Sequence, residues 1–180
     1  MTDELDTQTA RLFFALWPDG RTRGALAQAA DKLQRRCGGK ATRVQTIHLT
    51  LVFLGDVPVA RIGELGAAME GLCSPAFGLE INRLGWWKHN RIAWAAPAET
   101  PPQMGELVEE IRRRLVASGF RFDAKRFVPH ITLARKAQCA EQAFFPLAVA
   151  WRAKDFVLVR SVVSEAGAAY EIIGRWGLQT

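Results

Sequence analysis

The chain carries one four-residue pattern twice, His48-Leu49-Thr50-Leu51 and His130-Ile131-Thr132-Leu133. Of its 3 histidines, 2 therefore share one local context. In an extended strand successive side chains point to opposite faces, and residues two apart stand about 7 Å from each other on one face. Each copy thus sets an imidazole beside a hydroxyl on one face, while the aliphatic residues anchor the other face in a core. The pattern demands two strands, one from each half of the chain, each polar on one side and buried on the other. Brought together, they would make a symmetric site with one imidazole on each side.

The surrounding pattern supplies elements to hold those strands. Arg11 to Leu16 reads as a buried strand, and Pro18-Asp19-Gly20 opens a helix to about Arg36, with Leu26, Ala29, Ala30 and Leu33 at helical spacing and Gly38-Gly39 as the stop. A loop from Lys40 to Thr46 leads to the first motif strand, Ile47 to Leu54. A second helix is expected from Pro58 to near Cys73, and a hairpin over Phe77 to Trp86 and Arg91 to Ala96, turning at Lys88-His89-Asn90. A third helix runs from Pro101-Pro102 to about Ser118, with Glu106, Glu109 and Glu110 early and Arg112, Arg113 and Arg114 late. The second motif strand, His130 to Arg135, and strands over Leu147 to Trp151, Phe156 to Val163 and Tyr170 to Leu178 complete the chain. Each half holds strands, a helix of roughly 15 to 19 residues and one His-x-Thr-Leu strand. The expected fold is therefore α+β: a pseudo-duplicated single domain over residues 1–180, whose two sheets face each other.

Composition narrows the partners. The 24 basic and 18 acidic residues give a net charge of +6, which favours polyanions without fixing a fold. Cys37, Cys73 and Cys139 are odd in number, far apart and without a C-x-x-C pair. That spacing argues against a disulfide framework and a zinc site, and suits a reducing cytoplasm. The polar residues Met1 to Thr9 read as no signal peptide, and every apolar run is too short for a membrane span.

An imidazole ordinarily titrates near pH 6.5, so one histidine can take a proton while its partner gives one. The threonine hydroxyls add uncharged donors for phosphoryl oxygens. A phosphodiester is a fitting substrate for such a site, without a metal. A lone strand histidine would read as a half-buried core residue; the duplication favours chemistry. A metal site using both imidazoles and a carboxylate such as Asp56 lacks close ligand spacing.

His48-Leu-Thr-Leu-Val-Phe-Leu-Gly55 and Phe127-Val-Pro-His-Ile-Thr-Leu-Ala-Arg135 resemble the two signature motifs of the two-histidine (2H) phosphoesterase superfamily, in its RNA 2′,3′-cyclic phosphodiesterase branch, formerly the 2′-5′ RNA ligase family. Arg11 to Leu16 and Tyr170 to Leu178 resemble that branch too. The resemblance implies a bilobal fold, two antiparallel sheets facing a central cleft with helices on the outside, and metal-independent hydrolysis of RNA 2′,3′-cyclic phosphate termini to 2′-phosphomonoesters, with no cofactor. It implies His48 as proton donor to the departing 3′ oxygen, His130 as proton acceptor from water, and Thr50 and Thr132 as phosphate holders. Reversal would give 2′-5′ RNA ligation. The other readings are a phosphodiesterase for another small cyclic nucleotide and a non-catalytic nucleotide-binding module.

Arg135, two residues past Leu133, is expected to join His130 and Thr132 as a phosphate binder, and Arg43 in the loop before the first motif is a second candidate. Arg112 to Arg114 read as a solvated helix face and His89 as a surface histidine. Trp86, Trp87, Phe127 and Tyr170 are candidates to stack a terminal base. RNA ends or cyclic nucleotides are the expected partners of a monomer with neither metal nor membrane.

Overall fold

The computed structural model describes residues 8–164 and 167–179. The buried apolar run forms β1 (Thr9–Leu16), and α1 (Gly20–Cys37) follows after a single turn. Asp19 caps α1 by accepting from the Thr22 amide at 2.8 Å, and Gly38, at φ 67°, ends it. The segment expected as a loop contains a short strand, β2 (Lys40–Ala41), and a 3-10 turn (Val44–Thr46) that delivers the chain to β3 (Leu49–Pro58). Next come α2 (Ile62–Met69), the hairpin β4 (Phe77–Trp87) and β5 (Ile92–Pro97), and α3 (Pro102–Ala117). The rest forms β6 (Ile131–Arg135), β7 (Val149–Ala153), β8 (Asp155–Ser164) and β9 (Gly167–Gly177).

The second helix is the one clear misjudgement of length: α2 has 8 residues rather than the expected span to Cys73. Two local features stop it. Gly71 sits at φ 66°, and the Arg114 guanidinium donates to the carbonyls of Ala68, Glu70 and Gly71, taking up groups a longer helix would have bonded internally.

Every strand pair is antiparallel, in the order β7-β4-β5-β6-β3-β1-β8-β9, with β2 beside β6. The fold is α+β with two antiparallel halves about a central cleft, as the duplicated pattern and the family resemblance together lead one to expect. Between the halves, β3 and β6 share the registered pair Leu49–Ile131.

Alternation along the motif strands decides which face holds the core. Leu49, Leu51, Ile131 and Leu133 are buried in one cluster with Leu26 and Leu33 of α1 and Leu107 and Ile111 of α3. The helices therefore cover the face opposite the histidines and threonines. Each such aliphatic side chain contributes about 1.5–3 kcal/mol by leaving water. A smaller cluster, Phe13, Ala15, Val157 and Val159, has Trp17, Phe53, Tyr170 and Ile172 packed against it.

The cysteines overturn the expectation of separate thiols. Cys37 and Cys139 form a disulfide, with Cα atoms 4.6 Å apart at a sequence separation of 102; Cys73 is free and exposed. Sequence distance misleads because Gly38 and Gly39, both at positive φ, turn the chain from α1 straight onto the end of β6. There the Gln138 amide donates to the Cys37 carbonyl at 2.9 Å. A side chain at Gly39 would collide with the Arg135 carbonyl and the Ala137 amide.

Candidate active site

His48 lies just before β3 and is held from two directions. Its Nδ1 is 2.7 Å from the Thr46 carbonyl, and its Nε2 is 3.1 Å from the Thr50 hydroxyl. A carbonyl can only accept, so Nδ1 carries the proton and donates it to Thr46. In the neutral ring Nε2 is then the free base, and the Thr50 hydroxyl donates to it. Phe13, Trp17 and Tyr170 enclose the imidazole, at ring-centre distances of 4.9, 5.5 and 5.2 Å. Trp17 stacks nearly parallel to it, at 10°. Burial in this aromatic box lowers the His48 pKa from the ordinary 6.5 to about 4, outweighing the Thr46 bond, which raises it; the positive charges of Arg135 and His130 lower it further.

His130 repeats the arrangement on the other strand. Its Nδ1 is 2.9 Å from the Val128 carbonyl, again the residue two positions earlier, which fixes the same tautomer. Trp87 packs edge-on against the ring at 4.7 Å. Burial is the main cause lowering the His130 pKa, with the Arg135 charge adding to it, while the Val128 bond opposes both.

The two motifs meet through register. Leu49 lies opposite Ile131 in an antiparallel pair. Continuing that register by one residue each way sets His48 across from Thr132 and Thr50 across from His130. Each threonine is thus next to one histidine along its own strand and opposite the other. All four share the face turned from the core.

Arg135 is brought to this group by a route that regular alternation does not give. A residue two past Leu133 would share the buried face of Leu133. The pairing of β5 with β6 slips, however: Ala93 lies opposite Ala134 and Trp94 opposite Thr132, so Leu133 is an extra residue. Leu133 and Ala134 are both buried as a result, and Arg135 is exposed, with its charge felt by both imidazoles. The expected neighbour is present, but the reason is a bulge. Arg43 enters the site's framework through its backbone: its carbonyl accepts from the Thr46 amide at 2.9 Å and hydroxyl at 3.0 Å, in the turn that carries the carbonyl bonded to His48. Asp56 lies far along β3, opposite Arg11. Among the described residues no group of three or more His, Cys, Asp or Glu is placed to hold a metal.

A cleft of about 330 Å³ is lined by Thr50, Phe53, Trp87, His89, Phe127 and His130, with Arg112 and Arg126 at its basic side. Of the candidates to stack a base, Trp87 and Phe127 line the cleft, Trp87 also packs on His130, and Tyr170 packs on His48. Trp86 points elsewhere and donates to the Ala137 carbonyl at 3.1 Å. Arg112 and Arg114 are not solvated: Arg112 lines the cleft and donates to the Lys125 carbonyl at 2.8 Å, and Arg114 holds the end of α2. Arg113 alone fits that reading, exposed and paired with Glu110. Trp17 and the cleft-facing position of His89 were missed; Trp17 offered only its place between a strand and Pro18, and His89 only its place in a turn.

Comparison with known proteins gives the family. The family described as "LigT like Phosphoesterase" matches residues 16–94 and again 95–169, one match for each half. The RNA 2′,3′-cyclic phosphodiesterase of Thermotoga maritima is 30% identical, with 91% of this chain and 92% of that protein aligned. The protein of the same name from Escherichia coli is 26% identical over 96% of this chain and 98% of its own. The crystal structure of E. coli LigT complexed with 3′-AMP superimposes with a TM-score of 0.86 at 26% identity, covering 96% of this chain and all of that one. The family match over both halves, the 30% identity to a relative along most of both chains and the shared fold place the chain in the LigT-like phosphoesterase family.

Proposed function

We propose that this phosphoesterase hydrolyses 2′,3′-cyclic phosphate termini of RNA to 2′-phosphomonoesters, using His48 and His130 as its proton carriers. The observation that carries the reading is the crossed register, which sets each histidine opposite the other motif's threonine. The relatives' shared name supplies the substrate class.

Water attacks phosphorus from the His130 side and gives its proton to His130 Nε2. The bond from phosphorus to the 3′ oxygen breaks on the other side, and that oxygen takes a proton from His48. Solvent then resets both imidazoles. Each transfer contributes about 10²–10⁴-fold. In the free site burial keeps His48 neutral. An arriving phosphate anion beside Nε2 favours the imidazolium, so His48 takes up its proton together with the substrate. Thr50 and Thr132 hold the phosphoryl oxygens, Arg135 balances their charge, and Arg43 attracts the anion from the neighbouring loop. These residues account for both proton transfers and the charge, so the step needs no metal. With an RNA 5′-hydroxyl in place of water as the nucleophile, giving its proton to His130 while the 3′ oxygen leaves with one from His48, the same transfers form a 2′-5′ phosphodiester, which is ligation of RNA ends.

One chain supplies both histidines, and the enzyme acts as a monomer and a single domain. No helix among the described residues is long and apolar enough to cross a membrane. The reading places the enzyme in the cytoplasm with its RNA; of the disulfide's two cysteines Cys37 is buried, at 6% exposed, and Cys139 only partly so.

The test is turnover of an oligonucleotide and a mononucleotide, each with a 2′,3′-cyclic phosphate, in EDTA with identification of the product isomer. Release of 2′-phosphate from the oligonucleotide is expected. Turnover of the mononucleotide alone would favour a small cyclic nucleotide as substrate. No turnover of either would leave a binding module, and rescue only by a divalent ion would overturn metal independence.

A further inference from the structure

We infer that a second cavity, beside His48 at the end of β1, is a phosphate-binding subsite. The cavity, about 450 Å³, opens between the junction of β1 with α1 and the turn from β7 to β8. Among the described residues Arg23, Arg152, Lys154 and Arg175 line it, with Asp19 and Asp155 as the only carboxylates, so the charge of that lining is 4 − 2 = +2.

Neither carboxylate is left to neutralise the remaining cations. Asp19 is engaged by the start of α1, accepting from the Thr22 amide at 2.8 Å and hydroxyl at 3.2 Å. Asp155 pairs with Arg175 at 2.6 Å. Among the described residues no carboxylate pairs with Arg23, Arg152 or Lys154. The Arg23 Nε is enclosed and has no acceptor among the described residues. An enclosed charged donor without an acceptor is costly, and an oxyanion with several free oxygens is the ligand that satisfies it together with its cationic neighbours.

Trp17 links this cavity to the candidate active site, since it lines the cavity and stacks on His48. Strand pairing gives the same proximity: Ala15, two residues before Trp17, lies opposite Thr50 on one side and Val157 on the other. A phosphate here would therefore sit next to a cyclic phosphate held between the histidines. Two sources share this chemistry, the phosphodiester upstream of the cyclic end in the substrate strand and a free phosphate ion. The first rests on the proposed hydrolase function; the phosphate chemistry does not.

The double variant Arg152→Gln/Lys154→Gln leaves the histidines, threonines and Trp17 untouched. Two readouts decide. In kinetics, the expected result is an oligonucleotide kcat/KM lowered roughly tenfold, mostly through KM, with unchanged turnover of a cyclic mononucleotide. The salt dependence of the oligonucleotide KM should also lose about 0.7 in slope for each phosphate contact removed. In calorimetry with inorganic phosphate, the wild type should bind one more ion per chain than the variant, which supports the subsite even where oligonucleotide kinetics do not change. The inference is overturned if phosphate stoichiometry and oligonucleotide kinetics both match the wild type, or if mononucleotide turnover falls in step with oligonucleotide turnover. Absence of all turnover in the wild type would instead refute the hydrolase reading, and the calorimetry would still decide the subsite.

Discussion

Leu49 and Ile131 lie directly opposite each other, joining the two halves of the sheet at the middle of both motifs. Both are fully buried, so the hydrophobic effect that seats them also fixes where the flanking histidines and threonines stand. Ile131→Val should cost about 0.5–1.5 kcal/mol and Ile131→Ala about 2–5 kcal/mol. With the register loosened, Ile131→Ala should also lose kcat more than KM affinity. Denaturant unfolding alongside steady-state kinetics checks both; an Ile131→Ala protein with wild-type kcat would show that register does not set the site.

The buried His48 makes stability depend on pH in a defined direction. Its folded pKa, about 4, lies below the ordinary 6.5 of an unfolded chain. Between these values the unfolded state binds more protons, so the contribution is fully present above about pH 6.5 and is lost as pH falls toward about 4. Chemical denaturation across that range should show His48→Phe less acid-sensitive than the wild type. Equal sensitivity would contradict the burial argument.

Catalysis should carry the same signature. Both imidazole pKa values are lowered in the free protein, so the bell-shaped kcat/KM profile should have both limbs on the acid side of an ordinary histidine. The kcat profile, which reports the complex, should shift toward higher pH because the bound anion favours both charged rings. A flat kcat/KM profile from about pH 4 to 9 would exclude paired proton carriers.

Thr50→Val and Thr132→Val keep shape and remove a hydroxyl. Each should lower kcat by about 10–10³-fold if the hydroxyl stabilises developing charge on phosphoryl oxygen. Kinetics on a cyclic mononucleotide separates this from upstream strand binding. Thr50→Val also removes the bond to His48 Nε2, and its kcat/KM profile should move along the pH axis where that of Thr132→Val does not.

Reduction, or Cys37→Ser, should cost about 2–4 kcal/mol, because the bond with Cys139 spans 102 residues. Thermal unfolding with and without reductant measures it. Unchanged stability would show that contacts such as Gln138 to Cys37 already hold that segment.

Much of the site was legible because strand parity is a strict geometric rule. The alternation in His48 to Leu51 and His130 to Leu133 placed four side chains on one face and four in the core before any contact was known. Parity failed where pairing is irregular. The bulge at Leu133 turns Arg135 toward the histidines, and nothing in Leu133-Ala134-Arg135 marks it, because it answers to Ala93 and Trp94 on another strand. The length of α2 depended on Arg114, more than 40 residues away, and the joining of Cys37 to Cys139 on a turn through Gly38 and Gly39. Trp17 stayed hidden for a similar reason: its partner His48 is close only after β1 and β3 pair.

The central claim is that His48 and His130 carry opposite protons, and leaving-group dependence tests it most directly. Turnover by His48→Ala and His130→Ala should be compared on a 2′,3′-cyclic nucleotide and on a p-nitrophenyl phosphodiester, whose leaving group needs no proton. On the cyclic nucleotide each variant should lose about 10²–10⁴-fold in kcat. On the p-nitrophenyl ester His48→Ala should recover most of its loss, and His130→Ala should not. Near wild-type turnover of the cyclic nucleotide by either variant, or equal recovery of both, would contradict the account.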